Sequence, residues 1–203
     1  MFSLILSMFS FSLSMSFSPG PVNLAILSSS MNYGLRKTFA FISGATIGFT
    51  ALLMAVCFGL YQVIVIFPIL LDAITLLGTG LLIWIGWNIL WAEGASIEPN
   101  KDRLDKAPTF MQGALMQWLN PKAWIAAVSG TALFSAQQNI SYLILFVLIY
   151  FVVCYMSLLI WGYAGEKVAH FLNKGKRART INILMGTALM LISLQIFWSH
   201  FYD

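Results

Sequence analysis

The chain has 203 residues, of which 60% are hydrophobic and only 9% are charged, whereas soluble domains carry roughly 25% charged residues. This composition excludes a soluble globular domain and predicts an integral membrane protein, with aqueous regions too short for a second folded domain. The net charge of +4 does not predict nucleic acid as a partner, because membrane orientation and contact with anionic lipids explain where the basic residues lie.

Six apolar segments reach the roughly 20 residues that a helix needs to cross a bilayer. In chain order they are Ser3–Tyr33, Thr38–Phe67, Ile69–Ala92, Phe110–Ala136, Ile140–Gly165 and Ile181–Phe201. We therefore predict an all-α membrane protein with six transmembrane helices in one integral membrane domain, residues 1–203. The first segment lacks the basic flank of a cleaved signal peptide, so we expect it to remain as a helix.

The first segment is interrupted at its middle by Ser18-Pro19-Gly20-Pro21. Proline removes a backbone donor and clashes with the preceding helical turn. Ser18 before Pro19 matches an N-cap followed by proline at the first helical position, and Gly20 allows a ligand to approach the backbone closely. These residues predict a broken helix whose second half begins inside the membrane.

Small residues recur at helical spacing around this break. Serines line one face of the first segment, at Ser3, Ser7, Ser10, Ser14 and Ser18. This pattern predicts either a hydroxyl-lined route to the break or serines that bond back to their own helix in close helix packing. In segments two and three, close helix contacts are predicted at Gly44, Gly48, Gly78 and Gly80.

The fourth segment carries a second break, Asn120-Pro121-Lys122, half a chain after the first. Asn120 again matches an N-cap, with Pro121 at the first helical position. The two breaks predict two half-helix N-termini that approach the membrane centre from opposite sides and present unpaired N–H groups. Such N-termini attract anions, so a carboxylate is the expected guest.

Lys122 stands inside a spanning segment, where insertion scales give a cost of roughly 2.5–3.5 kcal/mol. Two interpretations remain open. Its ammonium meets a substrate carboxylate or an exchanging proton, or else it snorkels to an interface or bonds to carbonyls freed by a break. Because Asp and Glu are missing at comparable depth, a zwitterionic or anionic solute is favoured over a cation, with Asn23, Gln117 and Asn120 bonding to its polar atoms. The predicted substrate-binding residues are Ser18, Pro19, Gly20, Pro21, Asn23, Gln117, Asn120, Pro121 and Lys122.

The cysteines predict packing and not chemistry. Cys57 and Cys154 lie inside segments two and five, without CxxC spacing and away from the prolines, which favours apolar packing over redox work. The sequence contains no recognisable metal-ligand cluster, cofactor motif or nucleophile–base pair. It predicts no metal site, no cofactor and no enzyme activity.

Basic residues lie in alternate loops, and they predict the topology. After segments one, three and five the chain carries Arg36, Lys37, Lys101, Arg103, Lys106, Lys167, Lys174, Lys176, Arg177 and Arg179. The positive-inside rule places those loops in the cytoplasm and both termini in the periplasm. Three spans in each half then predict inverted repeats, with repeat one at about 1–92, a cytoplasmic loop at about 93–109 and repeat two at about 110–203.

Three stretches of the chain resemble the LysE/RhtB family of bacterial amino-acid exporters, and most of all its cysteine/O-acetylserine exporter branch. They are SPGPVNLAILSSSMNYGLRKTFAFISGATIGF from Ser18, GTGLLIWIGWNIL from Gly78 and FMQGALMQWLNPKAW from Phe110. The resemblance implies a proton-coupled secondary exporter of small amino acids or their derivatives in the bacterial inner membrane. By motif match it carries over Pro19, Gly20, Pro21, Asn23, Asn120, Pro121 and Lys122. Amino-acid-like substrates, protons and membrane lipids are the implied partners.

Two rival functions remain open. One is export of another small solute or an ion. The other is a membrane electron carrier of related fold, which requires a reactive cysteine near each broken helix.

Overall fold

The computed structural model describes residues 1–60, 66–67, 69–91, 107–134, 140–172 and 175–202. Within these ranges every regular element is helical, which confirms the all-α class. The helices are α1 (Phe2–Phe17), α2 (Pro21–Tyr33), α3 (Leu35–Ala55), α4 (Ile69–Trp91), α5 (Phe110–Trp118), α6 (Pro121–Phe134), α7 (Ile140–Leu172) and α8 (Gly175–Tyr202), and a π turn at Val56–Leu60 continues α3.

Among the described residues, four helices are long and apolar enough to cross a membrane, and the bent pair α1–α2 adds a fifth if its two helices form one span. The four are Leu35–Leu60, Ile69–Trp91, Ile140–Ala169 and Arg179–Tyr202, and the angle between α1 and α2 is 57°. The predicted fourth span corresponds to α5 and α6, which together run from Phe110 to Phe134. The chain is thus a multi-span helical protein, and a count of six spans remains a prediction.

Both predicted breaks are present, but the first helix restart lies two residues later than expected. Gly20, with φ −161° and ψ 175°, is the N-cap of α2 and Pro21 is its first residue, whereas Ser18 ends α1. The prediction that Ser18 caps a helix beginning at Pro19 is therefore wrong. A residue before proline disfavours the α region. Gly20, which precedes Pro21, is therefore extended, and the helix begins at the second proline.

Glycines bring α3 and α5 into backbone contact. A Cβ atom at Gly44 would overlap the carbonyl group of Phe110, and one at Gly48 would lie 2.6 Å from Ala114 Cα. The residue numbers of the contacting pairs increase together along both helices, so α3 and α5 run parallel. The predicted close contacts at Gly44 and Gly48 are confirmed; such small residues allow apolar helices to approach closely where lipid provides no hydrophobic driving force.

The helices α4 and α8 cross in opposite directions at a pair of glycines. Gly86 lies against the backbone of Gly186, and Gly186 lies against that of Gly86. Further along, Ser193 Oγ donates to the carbonyl oxygen of Thr79 at 2.9 Å. Residue numbers fall along α4 as they rise along α8 between these two contacts, so the two helices are antiparallel.

The third large interface joins α7 to both halves of the first broken helix. Phe11 of α1 packs on Phe146 with ring centroids 6.1 Å apart, and a Cβ at Gly165 would overlap the backbone of Leu27 in α2. The first broken helix and α7 therefore run parallel.

The prediction of close helix contacts is confirmed at Gly78 and wrong at Gly80. A Cβ at Gly78 would overlap the Leu119 carbonyl, whereas a Cβ at Gly80 would have no neighbouring atom within 4 Å among the described residues.

Candidate functional site

A lysine from the second break is hydrogen-bonded to the backbone of the first. Lys122 Nζ donates to Ser18 O at 2.7 Å, to Ser18 Oγ at 2.7 Å and to Pro19 O at 3.3 Å. The fold thus brings together two segments that lie half a chain apart. Of the two interpretations of Lys122, the structure shows the hydrogen bonds to carbonyls freed by a break.

The end of α1 obtains its remaining donors from side chains. Two prolines in the break cannot donate, so carbonyls in the last turn of α1 lose their usual helical partners. Side chains replace them, and the pairs are Ser18 Oγ to Met15 O (3.3 Å), Asn23 Nδ2 to Ser16 O (2.9 Å) and Trp161 Nε1 to Phe17 O (3.1 Å). The carbonyls of Ser18 and Pro19 are the two that depend on Lys122.

The start of α2 is open to a ligand. Its N-cap has no side chain, and no capping hydrogen bond is formed there by the described residues. The helical ladder begins with Leu24 N, which donates to Gly20 O at 3.0 Å. The amides of Val22 and Asn23 precede that bond, and both residues line the cavity described below. This N-terminus has the properties expected of an anion site.

At the start of α6, in contrast, the backbone N–H groups have hydrogen-bond partners within the same segment. Asn120 Oδ1 accepts a hydrogen bond from Lys122 N at 3.2 Å, as expected of an N-cap. Asn120 O accepts from Ala123 N at 2.9 Å and from Trp124 N at 3.3 Å. The prediction of unpaired N–H groups at both breaks is therefore wrong for the second one, because the asparagine that begins the helix also occupies its donors.

A small cavity lies between the two breaks, with a volume of about 30 Å³. That is room for about one water molecule, so an amino acid does not fit into the cavity as it stands. Five of the predicted site residues line it, namely Gly20, Asn23, Gln117, Asn120 and Lys122. Asn120 Nδ2 donates to Gln117 Oε1 at 3.3 Å, which fixes both amides at the wall. The other predicted residues, Ser18, Pro19, Pro21 and Pro121, belong to the two breaks but are not among the lining residues.

Three polar lining residues were not predicted from the sequence. They are Ser16 of α1 and Tyr150 and Cys154 of α7. Ser16 is 7% exposed, and its Oγ has no hydrogen-bond partner among the described residues. The prediction that Cys154 packs away from the breaks is wrong, since α7 runs beside the first broken helix. The spacing of four between Tyr150 and Cys154 was the available signal, but other faces of α7 show the same spacing.

The serine face of α1 does not form an internal route. Ser3, Ser7, Ser10 and Ser14 are exposed on the outside of the described structure, and Ser7 Oγ bonds back to Ser3 O at 2.9 Å. The buried face of α1 is instead formed by Met8, Ser12 and Ser16. The hydroxyl-lined route is therefore contradicted, and the back-bonding alternative is confirmed at Ser7.

Comparison with known proteins identifies the family of this chain. A family model described as LysE type translocator matches residues 13–199. The cysteine/O-acetylserine efflux protein of Escherichia coli strain K12 is 23% identical over 199 residues, which cover 96% of this chain and 98% of the relative. The protein of the same name from Shigella flexneri serotype 5b is 24% identical over 199 residues, with the same coverage. No solved structure is significantly similar to this one. Because the family model spans nearly the whole chain, including both breaks, the chain belongs to the LysE-type translocator family and is a transporter rather than an enzyme.

Proposed function

We propose that this protein is a secondary transporter that exports small neutral or zwitterionic amino acids, or their derivatives, across the bacterial inner membrane. The observation that carries the proposal is the cavity between two broken helices, bridged by Lys122. Paired broken helices place substrate sites near the bilayer midplane in several transporter folds. The relatives named as cysteine/O-acetylserine efflux proteins support a small amino acid as the solute.

The substrate class follows from the chemistry of the cavity wall. Its polar groups are amides, hydroxyls and one thiol, and Lys122 is the one charged residue among the described residues that line it. A free carboxylate finds a cation and open helix amides there, whereas a dication finds no acidic partner. A small zwitterion matches this wall better than a metal ion or a polyamine.

We further propose that the chain consists of two inverted repeats that move against each other in alternating access. The helix packing supports this, because each interface between helices has a counterpart when the two halves of the chain are exchanged. The first broken helix packs along α7, and its counterpart, the second broken helix, contributes α5, which packs along α3. The remaining interface, α4 with α8, is converted into itself, with Gly86 and Gly186 in mutual contact.

The helix directions support six spans with both termini on the same side of the membrane, and the basic loops supply the proposed periplasmic side. In a six-span chain, segments one and five cross in the same sense, as do two and four, whereas three and six are opposed. The observed pairs are parallel, parallel and antiparallel in that order. Together with the basic residues in alternate loops, this orients α2 and α7 towards the cytoplasm at their C-terminal ends.

Coupling to protons is the last part of the proposal. Lys122 is the group in the wall best suited to exchange a proton, since lysine buried in a membrane protein commonly serves ion or proton movement. Lipid would cover the outer faces, where large apolar side chains are exposed, as at Leu148, Val152 and Met156 of α7.

Uptake into inverted membrane vesicles tests the proposal directly. Their lumen corresponds to the periplasm, so an acid lumen should drive uptake of labelled cysteine, O-acetylserine, serine or alanine. Lys122→Met and Pro121→Ala should reduce uptake at least tenfold at normal protein level, and Gly80→Ala, which meets no neighbour, should not. If none of these solutes is taken up, or if both site variants transport at the native rate, the proposed function is refuted.

A further inference from the structure

We infer that the backbone carbonyls of Ser18 and Pro19, with the Ser18 hydroxyl, form the binding site for the α-ammonium group of the substrate, and that Lys122 occupies this site while no substrate is bound. The inference rests on the proposed function. The group of acceptors at Ser18 and Pro19 is called the ammonium cradle below.

The Lys122 contacts define the chemistry of the cradle. A protonated amine has three donors and no acceptor, and here its three partners are all oxygen atoms, at 2.7, 2.7 and 3.3 Å. The α-ammonium of an amino acid has the same charge and the same three donors. A set of acceptors that binds the lysine ammonium can therefore also bind the substrate ammonium.

The cradle needs a donor from outside the backbone. The neighbouring carbonyls of Met15, Ser16 and Phe17 are each bonded by another side chain, but those of Ser18 and Pro19 have Lys122. The Ser18 carbonyl is partly buried, and a carbonyl left unpaired inside a spanning segment is costly. The arrival of a substrate amine, which replaces the lost donors, therefore favours the departure of Lys122.

Space for the substrate is created by the same movement. The lysine side chain lies on Gly20, where a Cβ would be 3.1 Å from both Lys122 Cδ and Lys122 Nζ. The cavity beside it, about 30 Å³, is too small for an amino acid. A lysine side chain has nearly as many non-hydrogen atoms as a small amino acid, so its withdrawal would free comparable room.

The other end of the substrate finds partners in the same place. A Lys122 side chain withdrawn from the cradle lies at the edge of the vacated space, where its ammonium is a cation for the carboxylate, opposite the uncapped amides of Val22 and Asn23 at the start of α2. The buried Ser16 hydroxyl lines this cavity as well, beside Tyr150 and Cys154, and it can bond to a polar substrate atom. Both charges of a zwitterion are then matched, and the lysine changes partner from protein to substrate.

Two measurements test the ammonium cradle. In vesicles, N-acetylserine should be transported at least ~100-fold less efficiently than serine, because acetylation removes the positive charge and leaves one N–H donor for three acceptors, so buried acceptors stay unpaired. In the purified protein, Lys122→Met leaves the cradle empty, so ethanolamine, an amine without a carboxylate, should raise the unfolding temperature of this variant more than that of the wild type. Ethylene glycol is the uncharged control and should have no effect on either protein.

The outcomes separate this inference from the proposed function. If serine and N-acetylserine are transported equally well, the protein is still an amino-acid exporter but the cradle is refuted. If Lys122→Met is folded, as judged by gel filtration, and ethanolamine does not stabilise it beyond the wild type, the cradle is refuted too. Should Lys122→Met fail to fold, the transport assay alone tests the cradle, and equal transport of N-acetylserine and serine by the wild type is the refuting result.

Discussion

A glycine-to-alanine exchange at the crossing of α3 and α5 should test whether close backbone contact positions the second break. In Gly44→Ala, the new Cβ would overlap the carbonyl oxygen of Phe110 and lie 2.7 Å from its carbonyl carbon and 2.9 Å from its Cα. All three are backbone atoms, so no side-chain rotation can relieve the overlap. The two helices must move apart.

The expected size follows from two opposing terms. Alanine is favoured over glycine inside a helix by up to ~1 kcal/mol, and overpacking of this kind costs roughly 1–3 kcal/mol. Gly80→Ala is the matched control, because a Cβ there has nothing within 4 Å and only the favourable term applies. We expect Gly44→Ala to be less stable than Gly80→Ala by ~1–3 kcal/mol, which corresponds to roughly 2–12 °C in Tm for a chain of this size.

Thermal unfolding of the two purified variants measures this difference, and vesicle uptake measures its consequence. Because α5 leads directly into Asn120, a displaced α5 should also move Lys122 relative to the first break and lower uptake several-fold. If Gly44→Ala unfolds at or above the temperature of Gly80→Ala, the helices do not touch as described, and the reasoning about the crossing is wrong.

Three further predictions concern the site itself. Gly20→Ala should change stability by less than ~1 kcal/mol, since its extended backbone suits any residue, yet lower uptake by crowding Lys122; normal uptake would contradict the close packing of that side chain. Asn120→Ala should lower stability by ~1 kcal/mol through loss of the cap, and Asn120→Ser should recover most of it; equal unfolding temperatures for the two would argue against the cap. The double variant Cys57→Ser/Cys154→Ser should retain uptake, because serine keeps a small polar group at the cavity wall and an exporter requires no redox thiol; loss of uptake in a stable double variant would show that a thiol itself is required.

The site was predictable where the residue type carries its own chemistry. Pro19, Pro21 and Pro121 interrupt a helix in any surroundings, and a charged Lys122 in an apolar segment requires polar partners. The identity of those partners was not predictable, because Ser18 and Pro19 reach the lysine only through the packing of two helices half a chain apart. The expected cap at Ser18 failed for a local reason, since the second proline delays the helix start.

The sequence by itself determined that this protein is helical, that its helices are long and apolar, and where two of them break. Only the tertiary structure decided which side of each helix faces the cavity. On α7, Phe146, Tyr150 and Cys154 are buried while Leu148 and Val152 are exposed, although both sets are apolar and recur every four residues. The reason is physical: lipid is as apolar as a packed helix interface, so a membrane helix can be apolar all round and its sequence pattern does not indicate the inner face.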